Sequence, residues 1–251
     1  MSSVCRLPRL HRSSGKLGCA DMAAIMVRDL PMDERPREKL LKYGSSYLSN
    51  AELLAILLRT GVKDVSVLRV AEEVLSHFEG KGISGLVHMV PQDLADIKGV
   101  GLTKAATILA AVELGRRLSV QAAESIDTIG GPEDAAHYAM PRYRHELQEH
   151  FALMTLDMKN HITGFFDLTT GTLSASLVHP REVYRKAIQQ SAASIIVFHN
   201  HPSGDPSPSR EDIAVTERLA KSGKVLGIEL LDHIILGKEN FLSMKEEGMV
   251  Q

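Results

Sequence analysis

Cysteine is nearly absent. The chain has only Cys5 and Cys19, both close to its start, so neither a disulfide framework nor a thiolate zinc cluster is available. Any metal bound here must be held by His, Asp or Glu. An excess of charge of one sign is lacking too: 29 Lys and Arg against 31 Asp and Glu leave a formal net charge of −2. That argues against a broadly nucleic-acid-coating surface, although one small domain can still carry a basic face. No stretch is long and apolar enough to span a bilayer. The opening MSSVCRLPRLHRSSGKLGCADMAAIMV is basic and Ser-rich. Asp21 interrupts its only apolar run, which makes a poor secretory core, and Lys16 stands where a lipoprotein cleavage site wants an apolar residue. Residues 1–27 are therefore expected to be a disordered or non-native extension of a cytoplasmic protein, with Met26 as a candidate true start. Repeats and low-complexity tracts are also missing.

What is present suffices for real cores: 44% of 251 residues are hydrophobic, a length that fits two modest domains. From Asp33 to Leu118 the apolar spacing is helical. SNAELLAILLRTG opens with Ser49 three residues before Glu52, a capping-box spacing, and is expected to close at Gly61. VSVLRVAEEVLSHF follows as a helix, and VPQDLADIKGVGLTKAATILAAVELGRRL reads as two helices joined by a glycine hinge. Periodicity is lost in SVQAAESIDTIGGPEDA, where Gly130-Gly131-Pro132 marks a boundary. Beyond it the period changes from 3.6 to 2. HFALMTLDM, HITGFFDL and TLSASLV are expected as strands, then REVYRKAIQQSA as a helix, SIIVFHNH as a buried strand, SREDIAVTERLAKSG as a helix and IELLDHIILG as a strand. The βββαβαβ order argues an α/β domain with helices packed on a mixed sheet over residues 128–251, preceded by an all-α domain over residues 28–124.

The chemistry concentrates in FHNHPSGDPSPSREDI, residues 198–213. Side chains two apart on a strand point the same way, so His199 and His201 present both imidazoles to one point. PSGDPSPS cannot continue a strand, and Ser209 caps a new helix with Asp212 three residues on. The loop brings Asp212 back toward the strand end. Two imidazoles and one carboxylate leave a fourth tetrahedral position open, as in catalytic zinc sites. The plainer alternative, surface histidines beside an ordinary helix cap, accounts for each residue singly but not for the shared face at the strand terminus. Other HxH proteins fit less well. A metallo-β-lactamase wants Asp and His where Ser203 and Gly204 stand, a barrel amidohydrolase carries its pair near the start of a long chain, and a cupin wants a Glu where Asp205 and Pro206 stand. The letters HNH here are adjacent, unlike the dispersed residues of the nucleases that bear that label.

HxH, seven residues, Ser, two residues and Asp is the JAMM pattern of MPN-domain metalloproteases, matched by His199, His201, Ser209 and Asp212. VHPREVYRKAI, FHNHPSGDPSPSREDIAVTERL and LLDHIILG resemble the RadC family, also called UPF0758, from about Arg28 to the C-terminus. The resemblance implies an MPN-like (cytidine-deaminase-like) mixed sheet with flanking helices. It also implies one Zn2+ per chain on His199, His201 and Asp212, and Ser209 supporting the oxyanion of a tetrahedral intermediate. A carboxylate opening the first core strand would move the proton, and Glu149 in QEHFALMTLD holds that place. The glycine that commonly follows such a glutamate is replaced by the bulkier FALM run, so Glu182 in HPRE stands as a rival, although a first-turn acid at a helix start explains it better. The implied function is zinc-dependent hydrolysis of a peptide or isopeptide bond. The alternative is a DNA-associated accessory protein of repair or recombination with a structural or vestigial metal site.

Four further features stand apart from this set. His179, before Pro180, suits a cap or packing better than a cleft. Asp232 and His233 are adjacent on a strand and so point to opposite faces, which bars both from one metal, while His145, His150 and His161 lack partner spacing. Finally, IKGVGLTKA resembles a helix-hairpin-helix element at about residues 90–118, in which Gly99 and Gly101 permit the turn and Lys104 adds charge for a phosphate. Such contacts would be sequence-neutral and salt-sensitive; a plain helical hairpin packed through its glycines is the alternative, and Asp93 and Asp96 oppose DNA.

Overall fold

A computed structural model describes residues 26–77, 82–171 and 178–250. Cys5, Cys19 and the rest of the expected extension up to residue 25 lie outside the described residues. Val27, expected to belong to that extension, instead sits in a short 3-10 turn, Val27–Asp29, and packs against the helical core.

The helical region contains α1 (Pro36–Tyr43), α2 (Asn50–Leu58), α3 (Val67–Ser76), α4 (Pro91–Ala95) and α5 (Leu102–Ala123). Ser49 accepts the Glu52 N–H and Glu52 accepts the Ser49 N–H, so the expected capping box forms. The helix closes earlier than expected, at Arg59 with φ +64°. Gly61 serves close approach instead, because a Cβ there would lie 2.1 Å from the Val65 carbonyl oxygen. Leu54, Leu58, Val70, Val74, Leu94 and Ile108 meet in one core, the helical-period residues doing what their spacing dictates. The last helix runs five residues beyond the expected end at Leu118, to Ala123.

The second region holds α6 (Pro132–Tyr143), β1 (His150–Leu156), β2 (Ile162–Thr170), α7 (Pro180–Gln189), β3 (Ser194–Asn200), α8 (Arg210–Leu226), β4 (Glu229–Leu236) and β5 (Phe241–Ser243). Sheet order is β2-β1-β3-β4-β5, with β3 parallel to β4 and the other pairs antiparallel. Strand β3 is buried throughout, as its continuous SIIVF run requires of a central strand covered on both faces. Ala152, Met154, Ile196 and Phe198 face α6. Phe151, Leu153, Ile195 and Val197 face Val183 and Tyr184 of α7 and Val215 and Leu219 of α8.

Two elements escape the sequence reading. Gly130-Gly131-Pro132 is not only punctuation: Pro132 is the first residue of α6, where its missing N–H costs nothing. The buried side of α6 is built largely on Ala135, Ala136 and Ala139, with Pro141 near its end, so no strong amphipathic stripe announces it. Strand β5 is three residues long, too short to show a period. Of the expected strand TLSASLV, residues 172–177 lie outside the described residues. Val178 is buried in the core between sheet, α7 and α8.

Candidate metal centre

The site forms where β3 parts from β1. The β1–β3 ladder ends at Phe151↔His199, while β3 keeps its pairing to β4 through Asn200↔Leu236 and the His201 N–H donates to the Leu236 carbonyl at 2.8 Å. With period-2 alternation, His199 and His201 share the α7/α8 face with Phe151 and Glu149, and Asn200 faces α6.

After His201 the chain turns sharply. Gly204 has φ +93°, a conformation that favours glycine, and its N–H donates to the His201 carbonyl at 2.9 Å. Asp205 accepts the Ser207 N–H at 3.0 Å and the Ser207 hydroxyl at 2.7 Å. The chain then enters α8 through a capping box: Ser209 N–H donates to Asp212 Oδ2 at 2.7 Å and Asp212 N–H donates to Ser209 Oγ at 3.2 Å. Asp212, fully buried, is thereby aimed back at the strand end.

One ligand atom from each of His199, His201 and Asp212 lies within 4.8 Å of the others, the only such His/Asp/Glu/Cys group among the described residues. The imidazole rings are nearly perpendicular, with centroids 4.7 Å apart. His201 Nδ1 is 2.7 Å from the Asp205 carbonyl oxygen. A carbonyl only accepts, so Nδ1 carries the proton and Nε2 is left to face Asp212 Oδ2 at 3.6 Å. His199 Nδ1 is 2.8 Å from Asp212 Oδ1, and its buried Nε2 has no hydrogen-bond partner. A buried nitrogen without a partner is costly, and a cation beside it would satisfy it. The donor set therefore fits a divalent metal.

Electrostatics follow from these contacts. Burial alone would raise the Asp212 carboxyl, but interactions with His199, His201 and Ser209 outweigh it and hold the group well below the usual carboxylate range. The His201 imidazole is raised, chiefly by Asp212. Behind the cluster His233 is wholly buried and pushed down to about 3, first by burial. Its Nδ1 meets Thr216 Oγ1 at 2.6 Å, and the Thr216 hydroxyl donates to the Asp212 carbonyl at 2.6 Å. Asp232 faces away to the Ser243 hydroxyl and the Lys245 N–H, as strand alternation requires.

The competing glutamates separate cleanly. Glu149, half-buried just before β1, places Oε2 3.9 Å from His199 Nε2. Glu182 lies in the first turn of α7, paired with Arg181 at 3.1 Å and Arg185 at 2.6 Å. Arg181 first, then Arg185, lower its carboxyl. His179 is the cap of that helix, accepting the Arg181 N–H at 3.1 Å.

A family model described as RadC-like JAB domain matches residues 129–249, and one described as UPF0758 N-terminal matches residues 27–106. A UPF0758 protein of Geobacillus sp. (strain WCH70) is 53% identical over 225 residues, covering 90% of this chain and 99% of the relative. This chain belongs to the RadC (UPF0758) family. Other RadC-family relatives include a UPF0758 protein of Geobacillus kaustophilus, 52% identical over 90% of this chain and all of its own, and one of Bacillus licheniformis, 51% identical over 88% of this chain and 98% of its own. The JAB domain is compatible with a metal-dependent hydrolase, and its His–His–Asp cluster is the one described above. Among the described residues no helix is long and apolar enough to cross a membrane.

The RadC-family N-terminal region carries the glycine hairpin between α4 and α5. Gly99 has φ +97°, and a Cβ there would come within 3.1 Å of Val70 and 3.2 Å of Val62, so the residue serves both turn and packing. Gly101 caps α5 with open space around it. The Lys104 ammonium, expected to face a phosphate, donates to the carbonyls of Thr60 and of Gly99, the latter at 2.9 Å. It staples the hairpin to the end of α2.

Proposed function

We propose that the JAB domain is a zinc-dependent hydrolase of amide bonds in peptide or isopeptide substrates, with His199, His201 and Asp212 holding the metal. The observation that carries this reading is the orphaned His199 Nε2 beside His201 and Asp212, with the Glu149 carboxylate 3.9 Å away. Zinc in such a site would lower the pKa of water to about 7 and polarise the scissile carbonyl.

Glu149 is the proton carrier. Its Oε2 takes the proton of the attacking water and returns it to the departing nitrogen, and its half-burial on the metal-facing side of β1 suits both tasks. Glu182, bound in two ion pairs, is not available for it. Ser209 supports the oxyanion. Its oxygen accepts the Asp212 N–H, which leaves the hydroxyl proton of an exposed side chain to donate toward substrate. Loss of one such donor costs on the order of a hundredfold in rate. The alternative is a DNA-associated protein with a structural or vestigial metal site; a structural metal would ask for a closed set of four protein ligands, whereas three cluster among the described residues, and a vestigial site would be expected to have lost ligands. With Lys104 tied to two carbonyls, the hairpin has no spare side-chain cation at that position for DNA.

The test is metal analysis of purified full chain and of His201→Ala, followed by hydrolysis of an internally quenched peptide library and a series of lysine-linked isopeptides, each with and without chelator. Stoichiometric zinc lost in the variant, with cleavage abolished by chelator and restored by zinc, is expected. Absence of zinc, or cleavage indifferent to chelator, overturns the reading.

A further inference from the structure

We propose that Asn200, the residue between the two histidines, is a positioning residue that sets the Glu149 carboxylate against the metal cluster. The inference rests on the role given to Glu149 above. Asn200 is 3% exposed and points to the face opposite His199 and His201, so it is neither a ligand nor able to touch substrate. Its side-chain amide makes two hydrogen bonds, both to the backbone flanking Glu149. Oδ1 accepts the His150 N–H at 2.6 Å, and Nδ2 donates to the Gln148 carbonyl at 3.0 Å.

The position of these bonds explains why they are needed. The main-chain ladder between β1 and β3 stops at Phe151↔His199, so the regular pairing of the two strands ends before the peptide groups on either side of Glu149. A carboxamide offers the same donor and acceptor as a peptide group, and that of Asn200 supplies the missing rung. Strand β3 is itself fixed at this point through Asn200↔Leu236 and the His201 N–H to Leu236. The bracket thus ties the glutamate to the same residues of β3 that present the two imidazoles. On the far side the Glu149 carbonyl accepts the Gly171 N–H at 2.8 Å. The strands can part and open the site while the proton carrier stays in register with the histidines.

The test compares Asn200→Ala in the full chain with and without Glu149→Gln, using the quenched peptides cleaved in the preceding experiment. If Asn200 acts through Glu149, its loss lowers kcat with KM little changed, by up to on the order of a hundredfold for a displacement of about 1 Å. In the Glu149→Gln background the same substitution then costs nothing further. Zinc affinity, measured by chelator competition, falls by less than the roughly tenfold expected when a group supporting a metal ligand is removed. In metal-free protein the His150 amide exchanges with solvent faster, while that of Val197 is unaltered. Wild-type protein without chelator-sensitive hydrolysis sinks the parent reading and this one with it. Intact hydrolysis with equal losses in both backgrounds, or unaltered exchange at His150, sinks the bracket alone.

Discussion

Replacing Asp212 by alanine perturbs the metal-free protein in a way the geometry quantifies. The carboxylate accepts the Ser209 N–H at 2.7 Å and His199 Nδ1–H at 2.8 Å, and all of Asp212 is buried. Removing it strips one half of the capping box, worth about 1 kcal/mol, and leaves a buried imidazole N–H without an acceptor, at about 1–3 kcal/mol. Together these come to about 2–4 kcal/mol; the desolvation cost of the carboxylate, recovered in the variant, offsets part of this, so the net loss is about 2 kcal/mol. At a urea m-value of about 2 kcal/mol/M that is a midpoint lower by roughly 1 M. The pH dependence has a definite sign. The folded Asp212 carboxyl lies below its ordinary 3.8, so its contribution is present above that value and lost only as pH falls through the depressed one. The imidazole of His201 is raised above its ordinary 6.5 by Asp212, so this part is complete below 6.5 and lost as pH rises through the raised value. The gap between wild type and Asp212→Ala should therefore widen as pH falls through the raised His201 value toward 6.5. Urea titrations of both proteins in chelator, followed by circular dichroism, measure it. Coincident midpoints, or a gap that narrows over that interval, would refute the reasoning.

The two glutamates make a second comparison: Glu149→Gln should lower chelator-sensitive hydrolysis at least about a hundredfold with zinc stoichiometry retained, and Glu182→Gln should leave the rate within error, both read from kcat. Because a proton on His201 competes with metal, zinc affinity measured by chelator competition should fall as pH drops through the raised imidazole value; a flat profile would place the metal elsewhere. Gly99→Ala meets both a positive φ and close valine methyls and should cost at least about 1 kcal/mol by thermal unfolding. Lys104→Met should lower stability by about 1 kcal/mol and leave duplex DNA affinity unchanged across a salt series, since its ammonium already serves two carbonyls; a reduced salt slope would count against this.

Much of the site was legible because its determinants are local. Alternation alone puts His199 and His201 on one face, and the spacing of Ser209 and Asp212 alone writes a capping box. Which glutamate joins them is a matter of tertiary register: Glu149 and Glu182 both open an element, and only the sheet shows that the first faces the histidines while the second pairs with arginines. The part played by Asn200 is illegible for the same reason, since it depends on where the ladder between two strands distant in sequence comes to an end. In the fold, strongly periodic segments such as α3 and unbroken apolar runs such as β3 were readable. The alanine-built α6 and the three-residue β5 were not, since neither carries enough repeat to distinguish itself from loop. Lys104 shows the converse case, in which a cation suited by its position to an external anion donates to the chain's own carbonyls.

Everything functional depends on one cation being shared by His199, His201 and Asp212. Anomalous diffraction at the zinc edge from crystals of the purified full chain measures this directly. A single peak within bonding distance of an imidazole nitrogen from each histidine and of an Asp212 oxygen, about 2.0–2.2 Å, is the expected result. A peak coordinated elsewhere, or none after zinc loading with Asp212 still bound to His199, would contradict it.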